Sequence, residues 1–249
     1  MMWRAWLRPL AWLVMLLLAT VGMSWLAPLF HWLQPDTRTV VYSRQGFLYL
    51  LWVHVELVFA SGLAAALTAM IAGILVTRPG GRDFLPLASQ IASIGQTFPP
   101  VAVLALSVPA LGFGAAPTMV ALGLYGLLPV LRNTLVGLDG ISPTVLEAAK
   151  GMGMSPWQIL FRIELPLASR VILAGVRTSV TINIATAAIG STIGARTLGD
   201  PIIAGLINGN TAFVLQGAIL IGLLALTTDS IFEAIQRRLD ARRGQSSAV

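Results

Sequence analysis

Three groups of residues in this sequence could do chemistry, and two of them fall away on spacing. The H-V-E run at 54–56 is not H-E-x-x-H, and two histidines in the whole chain cannot build a zincin site. No Ser/His/Asp set and no G-x4-G-K-[ST] loop occur, so neither triad hydrolysis nor P-loop nucleotide binding is available. No catalytic residue, metal ligand or bound cofactor is expected in this chain. The third group is the stretch 142–169, SPTVLEAAKGMGMSPWQILFRIELPLAS, where acids, bases, glycines and two Ser-Pro steps fall together in an otherwise oily chain.

Local signals make two short helices of this stretch. Ser142 is a good N-cap and Pro143 suits the first helical position. TVLEAAKGM then runs as helix to Gly153, a stop with positive φ. Ser155 caps again, Pro156 opens again, and Gln158 completes a capping box. WQILFRIE forms the second helix, and Pro166 limits its continuation. Val145, Ala149 and Met152 stand at i, i+4 and i+7, one apolar stripe, while Ala148 and Ala149 keep the helix slim. A solvated connector is the plain alternative, but it need not have two capped helices, small residues and an apolar stripe, as a docking platform for a soluble partner would.

The elements that position this stretch are membrane helices. Of 249 residues, 56% are hydrophobic and 10% charged, with a mean hydropathy of +0.82. Soluble domains carry about 25% charged residues, so the composition excludes a water-facing surface and predicts an integral membrane protein. The absence of cysteine excludes disulfides and thiolate metal sites. The net charge of +6 fits basic residues retained on the cytoplasmic side of a bilayer better than nucleic acid.

A crossing helix needs about 20 apolar residues. Six stretches qualify, at about 10–30, 49–76, 86–108, 117–137, 171–194 and 212–235. The fold class is therefore all-α, with six transmembrane helices. Residues 1–48 hold the first helix and an outer loop, 49–235 the permeation domain, and 236–249 a basic tail. The long loop, about 138–170, carries the two short helices. With the N-terminus inside, 13 Arg and Lys residues fall at inner positions and Arg38, Arg44 and Arg196 outside. Both termini and the 138–170 loop are thus expected in the cytoplasm. Span one follows Arg4 and Arg8, but no A-x-A-like site follows it, so it reads as a retained span rather than a cleaved signal.

Polar residues inside spans are candidates for a translocation path. Pro99-Pro100 interrupts span three beside Gln96, and broken helices mark substrate routes. Thr181 and Asn183 lie deep in span five, where a path or interhelical hydrogen bonds would use them. His54 and Glu56 near the outer end of span two read as snorkelling groups, and Gly190-x3-Gly194 as a packing site. Glu233 and Arg237 form an i,i+4 pair. Trp3, Trp6, Trp12, Trp25, Trp32 and Trp52 fall at predicted bilayer edges, as an aromatic belt does.

Glu147-Ala148-Ala149, three residues, Gly153, nine residues, Ile163, one residue, Leu165-Pro166 resembles the EAA signature of ABC-importer membrane subunits. All seven fixed positions match, a coincidence expected on the order of once in 10⁷ windows at average residue usage. The resemblance extends over roughly 50–235 and is similar to permeases for osmoprotectants such as glycine betaine, choline and carnitine. It departs at 194–200, GARTLGD, where that subfamily carries a GAGGLG-like run. The resemblance implies that Glu147, Ala148, Ala149, Gly153, Ile163, Leu165 and Pro166 couple the chain to an ATPase. It further implies an ATPase pair holding ATP and Mg²⁺, a second permease (the same chain or a related one), an extracytoplasmic binding protein, and a bacterial inner membrane. A permease for another solute, or an ion-coupled transporter or channel relaying protons through His54, Glu56 or Asp229, is the alternative.

The charge distribution generates a test. A cysteine at Ser155, unique in this chain, is expected to resist a membrane-impermeant thiol reagent in intact cells and to react after permeabilisation. Labelling from outside would invert the topology.

Overall fold

The computed structural model describes residues 4–242; Trp3 and the tail positions 243–249, including Arg243, lie outside them. Every regular element among the described residues is helical. The chain forms α1 (Arg4–Val21), α2 (Ala27–Leu33), α3 (Phe47–Thr77), α4 (Leu85–Thr97), α5 (Pro100–Leu111), α6 (Ala115–Asp139), α7 (Pro143–Gly151), α8 (Pro156–Ile159), α9 (Leu165–Ala187), α10 (Asp200–Asn208) and α11 (Thr211–Arg242). A π-helical turn, Leu160–Glu164, joins α8 to α9, and a 3-10 turn, Ala188–Ile193, follows α9.

Hydropathy marks six crossings, with span three interrupted at Pro99-Pro100, and the backbone does not make all six as single apolar helices. Among the described residues three helices are long and apolar enough to span a bilayer: Phe47–Thr77, Ala115–Asp139 and Thr211–Ala241. Two bent pairs raise the number to five. The predicted span 10–30 breaks at Gly22, and the chain turns by 75°. A Cβ at Gly22 would lie 2.8 Å from the Leu18 carbonyl oxygen and 2.7 Å from the Trp25 ring. The 18 residues of α1 cover about 27 Å, roughly the hydrocarbon thickness. Beyond the bend, Trp25, Leu29 and Trp32 share one exposed face, with both indoles 76% exposed, as an interfacial segment requires. The predicted span 86–108 breaks at Phe98 and Pro99, both extended (ψ 138° and 140°). The predicted span 171–194 starts early, at Leu165, and leaves α geometry at Ala187. Its Arg170, Arg177, Thr181 and Asn183 keep it too polar to count among the apolar crossings.

The residues cluster into two compact units. The first comprises the chain up to Ser61, Pro99–Leu122 and the chain from Val180. Its core includes Phe30, Leu50, Leu122, Ile184, Leu198 and Leu220. Three amides stitch its loops. Gln34 accepts from the Ala212 N–H and donates to Gly209 O at 2.9 Å. Asn210 accepts from the Phe213 N–H and donates to Thr39 O. Gln216, fully buried, donates to Val40 O and accepts from the Tyr42 N–H at 3.0 Å. These loops lack helical partners for their backbone, so side-chain amides supply them. Along the same unit α1 packs on α11, with Arg238 over the Trp6 ring at 4.8 Å and Arg8 3.9 Å from Glu233. The expected Glu233–Arg237 pair is present.

The second unit comprises Gly62–Phe98 and Gly123–Ser179. Glycine lets its helices touch: a Cβ at Gly175 would stand 2.6 Å from Asn133 Cβ and 2.7 Å from Pro129 O. One cluster joins Ala69, Ala92, Leu128, Val130 and Leu131. Another joins Leu138, Ile141, Ala168 and Ile172 to Met70, Ile74, Leu146 and Leu165. Helices α3, α6 and α9 each run from one unit into the other.

Gln216→Met leaves Val40 O and the Tyr42 N–H buried without a partner. Destabilisation of about 1–3 kcal/mol is expected, read as a lower thermal midpoint of the detergent-solubilised chain. An unchanged midpoint would show that the clasp adds nothing.

Candidate functional site

The stretch 142–169 begins at a cap and a stop. α7 ends at Gly151, and Gly153 takes φ +76°. The Met154 N–H bonds to Ala149 O at 3.2 Å and the Gly153 N–H to Lys150 O at 2.9 Å, the two bonds of a Schellman motif. Nothing lies within 4 Å of a Cβ placed at Gly153, so the left-handed backbone, not crowding, requires glycine. Ser142 sits at the N-cap as expected, but its Oγ pairs with Thr144 Oγ1 at 2.9 Å and makes no capping bond. The capping box at Ser155 is complete: the Ser155 N–H donates to Gln158 Oε1 at 2.8 Å and the Gln158 N–H to Ser155 Oγ at 3.3 Å.

Two expectations are corrected here. Pro166 does not limit the second helix. α8, the π turn and α9 are contiguous, and Pro166 lies inside the continued helix. Proline cannot bond to the carbonyl four residues back, and the widened turn before it has already replaced the α-type ladder. Residues 156–187 therefore form one helical rod, and the irregular connection shortens to about 140–155. The stripe is the second correction. Ala149 is fully buried, whereas Val145 is 40% and Met152 71% exposed, so the three do not share one buried face.

Of the seven motif residues, Glu147, Ala148, Gly153 and Pro166 are exposed, Ile163 and Leu165 half-buried, and Ala149 buried. Ala149 fixes α7 on its own chain, while Glu147 and Ala148 face outward. Spacing did not single out two aromatic residues that extend this surface. Trp157 and Phe161 are 68% and 61% exposed and stack 6.0 Å apart at 15°; their i,i+4 spacing is the signal that could have found them. At the base, the Arg78 guanidinium donates to the Glu164 carboxylate at 2.5 Å.

The candidate path residues scatter. Gln96 lies in the second unit and donates to Tyr125 O at 3.1 Å, beside the Tyr125 hydroxyl bond to Phe98 O. Thr181 and Asn183 do not share a face. Two residues apart on a helix they point about 200° apart, and Thr181 is exposed where Asn183 is fully buried. Neither atom of the Asn183 amide has a hydrogen-bond partner. Pro99 is exposed and Pro100 opens α5.

His54 is no snorkelling group. It is fully buried, accepts from the Leu198 N–H at Nδ1 (3.3 Å), and its Nε2 lies 3.0 Å from Ile184 O. An N–H can only donate, so Nδ1 is the acceptor and Nε2 carries the hydrogen. That leaves no free ring nitrogen for a proton relay. The loop that His54 holds is the divergent GARTLGD run. Gly194 takes φ +84° with open space around it, so it is a turn residue and not a packing one. Gly190 does pack, since a Cβ there would meet Thr118 at 2.6 Å. Arg196 takes φ +47°, a position that favours glycine. Thr197, fully buried, donates to Ala187 O and accepts from the Gly199 N–H, both at 3.1 Å, and pairs with Ser191. Burial pushes the Asp200 carboxyl up; Ser191, the Arg196 charge and the Thr197 backbone pull it back.

Residues 69–243 match the model of the family described as binding-protein-dependent transport system inner membrane component. The chain is 38% identical over 88% of its length to the osmoprotectant import permease protein OsmY of Salmonella typhimurium, covering 93% of that protein. It is 38% identical to the carnitine transport permease protein OpuCB of Listeria monocytogenes (82% and 94% of the two chains). It is 37% identical to the choline transport system permease protein OpuBB of Bacillus subtilis (77% and 88%). Among solved structures, an inward-facing form of the MetNI methionine ABC transporter aligns with a TM-score of 0.68 at 22% identity, covering 79% of this chain and 99% of that one. At that identity the likeness concerns the fold. Shared sequence over most of its length, a shared helical fold and the complete 147–166 signature make this chain a member of the binding-protein-dependent transport inner-membrane family, a permease subunit and not itself an enzyme.

Proposed function

We propose that this chain carries a small osmoprotectant of the glycine betaine, carnitine or choline class into a bacterial cytoplasm, as the permease of an ATP-driven importer. The observation that carries the reading is the 142–166 stretch, an exposed surface with a capping box at Ser155, a left-handed turn at Gly153 and full EAA spacing, on a chain whose relatives are named for osmoprotectant import, carnitine transport and choline transport. Glu147, Ala148, Met152 and the Trp157–Phe161 stack form an exposed, mixed-polarity surface suited to the groove of a separate ATPase, which holds ATP and Mg²⁺. A second permease, an ATPase pair and an extracytoplasmic binding protein complete the assembly. Both termini and the stretch face the cytoplasm, as the positive-inside bias supports.

Transport proceeds by alternating access, with Gln96, Pro99, Pro100, Thr181 and Asn183 as path residues. The unpartnered Asn183 amide supports a role in which it gains a hydrogen bond in another state of the cycle. A buried amide without partners costs stability. Asn183→Leu is therefore expected to leave the thermal midpoint unchanged or raised while lowering uptake; unchanged uptake removes Asn183 from the path.

The assembled complex in vesicles is expected to accumulate labelled glycine betaine with ATP and not without it. Gly153→Asp forces a side chain into left-handed backbone, about 1–2 kcal/mol or on the order of tenfold in an equilibrium. Normal membrane levels, weakened recovery of the ATPase in pull-down and lost uptake are expected. Full transport with undiminished ATPase recovery would make the stretch a connector. An amino acid or metal carried instead, with betaine inert as competitor, would refute the solute and leave the transporter class standing.

A further inference from the structure

Arg78 and Glu164 stand outside the seven motif positions, and no spacing rule pairs them across 86 residues. The fold holds both ends firmly. Arg78 lies in the tight turn that closes α3, where the Gly81 N–H bonds to Arg78 O at 2.9 Å. A Cβ at Gly81 would lie 2.1 Å from Leu75 O, so the turn admits little slack. Glu164 closes the π turn. One extra residue in a turn rotates the downstream helix by about 100° relative to a continuous α-helix, so the π turn sets the direction in which Glu164 leaves the rod. The Glu164 side chain is 12% exposed and that of Arg78 32%. In the same unit Met70 and Ile74 of α3, Leu146 of α7 and Leu165 of α9 pack against one cluster, Leu138, Ile141, Ala168 and Ile172.

A solvent-exposed ion pair adds roughly 0–1 kcal/mol, and a buried one is weak support for stability. What this pair supplies is direction: one short, charge-assisted bond between the rod that bears Trp157 and Phe161 and the end of α3. The apolar contacts beside it can slide; a bidirectional pull needs the bond. α3 is a single helix of 31 residues, so whatever displaces its end displaces the whole helix.

We propose that Arg78 and Glu164 are positioning residues of the transport cycle, a strut that moves α3 together with the ATPase-docking stretch. This inference rests on the reading of 142–166 as that stretch. In this role both act on how motion at the docking surface reaches α3.

The test uses the complete complex in vesicles with Glu164→Gln, Arg78→Gln and the exchanged pair Arg78→Glu/Glu164→Arg. Three quantities are read: ATPase recovered by pull-down, ATP hydrolysed, and labelled glycine betaine accumulated per ATP. For the single variants, unchanged ATPase recovery, continued hydrolysis and a roughly tenfold fall in uptake per ATP are expected, with uptake per ATP substantially restored in the exchanged pair. Undiminished uptake per ATP in Glu164→Gln overturns the strut. So does loss of ATPase recovery, which would make the pair a support of the docking surface. If the single variants fail to accumulate in the membrane, the exchanged pair decides: accumulation with coupling supports the strut, and accumulation without coupling overturns it. Gly153→Asp separates the two ideas. Should it leave ATPase recovery and uptake intact, the docking reading fails; should it abolish recovery while Glu164→Gln transports normally, the strut alone fails.

Discussion

A chain that lives in hydrocarbon has no water with which to repair a broken helix. Every N–H and C=O released at a break must find a partner within the protein, and this constraint organises the molecule. The long helices α3, α6 and α11 satisfy themselves. Where the backbone leaves helical geometry, polar side chains appear at the gap. Gln34, Asn210 and Gln216 serve the loops around 34–42 and the start of α11. His54 serves Leu198 and Ile184, and Thr197 the end of α9. The amides and the imidazole that look anomalous in an apolar sequence are therefore the consequence of its helix breaks. Asn183 departs from this pattern, with neither amide atom served.

The 142–166 stretch meets the opposite problem. It holds a defined shape while leaving apolar side chains exposed. The left-handed Gly153 ends α7, the Ser155 capping box starts α8, and Ala149 seats α7 on its own chain. The π turn then does two things that a regular helix could not. It carries the rod past Pro166 into α9, and it turns Glu164 toward Arg78 while Trp157 and Phe161 remain outside. The exposed Trp157–Phe161 surface and the Arg78–Glu164 bond are thus set by the phase of one helix.

The 194–200 run takes its shape from its own side chains. Arg196 takes a positive φ, a backbone region that favours glycine, at the cost of local strain. Thr197 makes three hydrogen-bonding contacts, to Ala187, Gly199 and Ser191. The loop is held by side chains in this chain, and His54 reaches it from α3.

What the sequence determined by itself is what local physics and composition control. Low charge and long apolar runs dictate a helical membrane protein. Ser155, Pro156, Gln158 and Gly153 dictate where α7 stops and α8 begins, because caps and positive-φ turns are decided within a few residues. The EAA spacing identifies the family for the same reason: its positions are close in the chain. Tertiary structure alone decided the rest. The Pro99-Pro100 break was legible in the sequence, but whether the run at 10–30 crosses straight or bends at Gly22 depends on neighbours and not on hydropathy. Whether His54 faces water or backbone, whether Val145 and Ala149 share a face, and whether Arg78 meets Glu164 are settled by helices distant in sequence, since a polar group in an apolar surrounding takes whichever partner packing brings within reach.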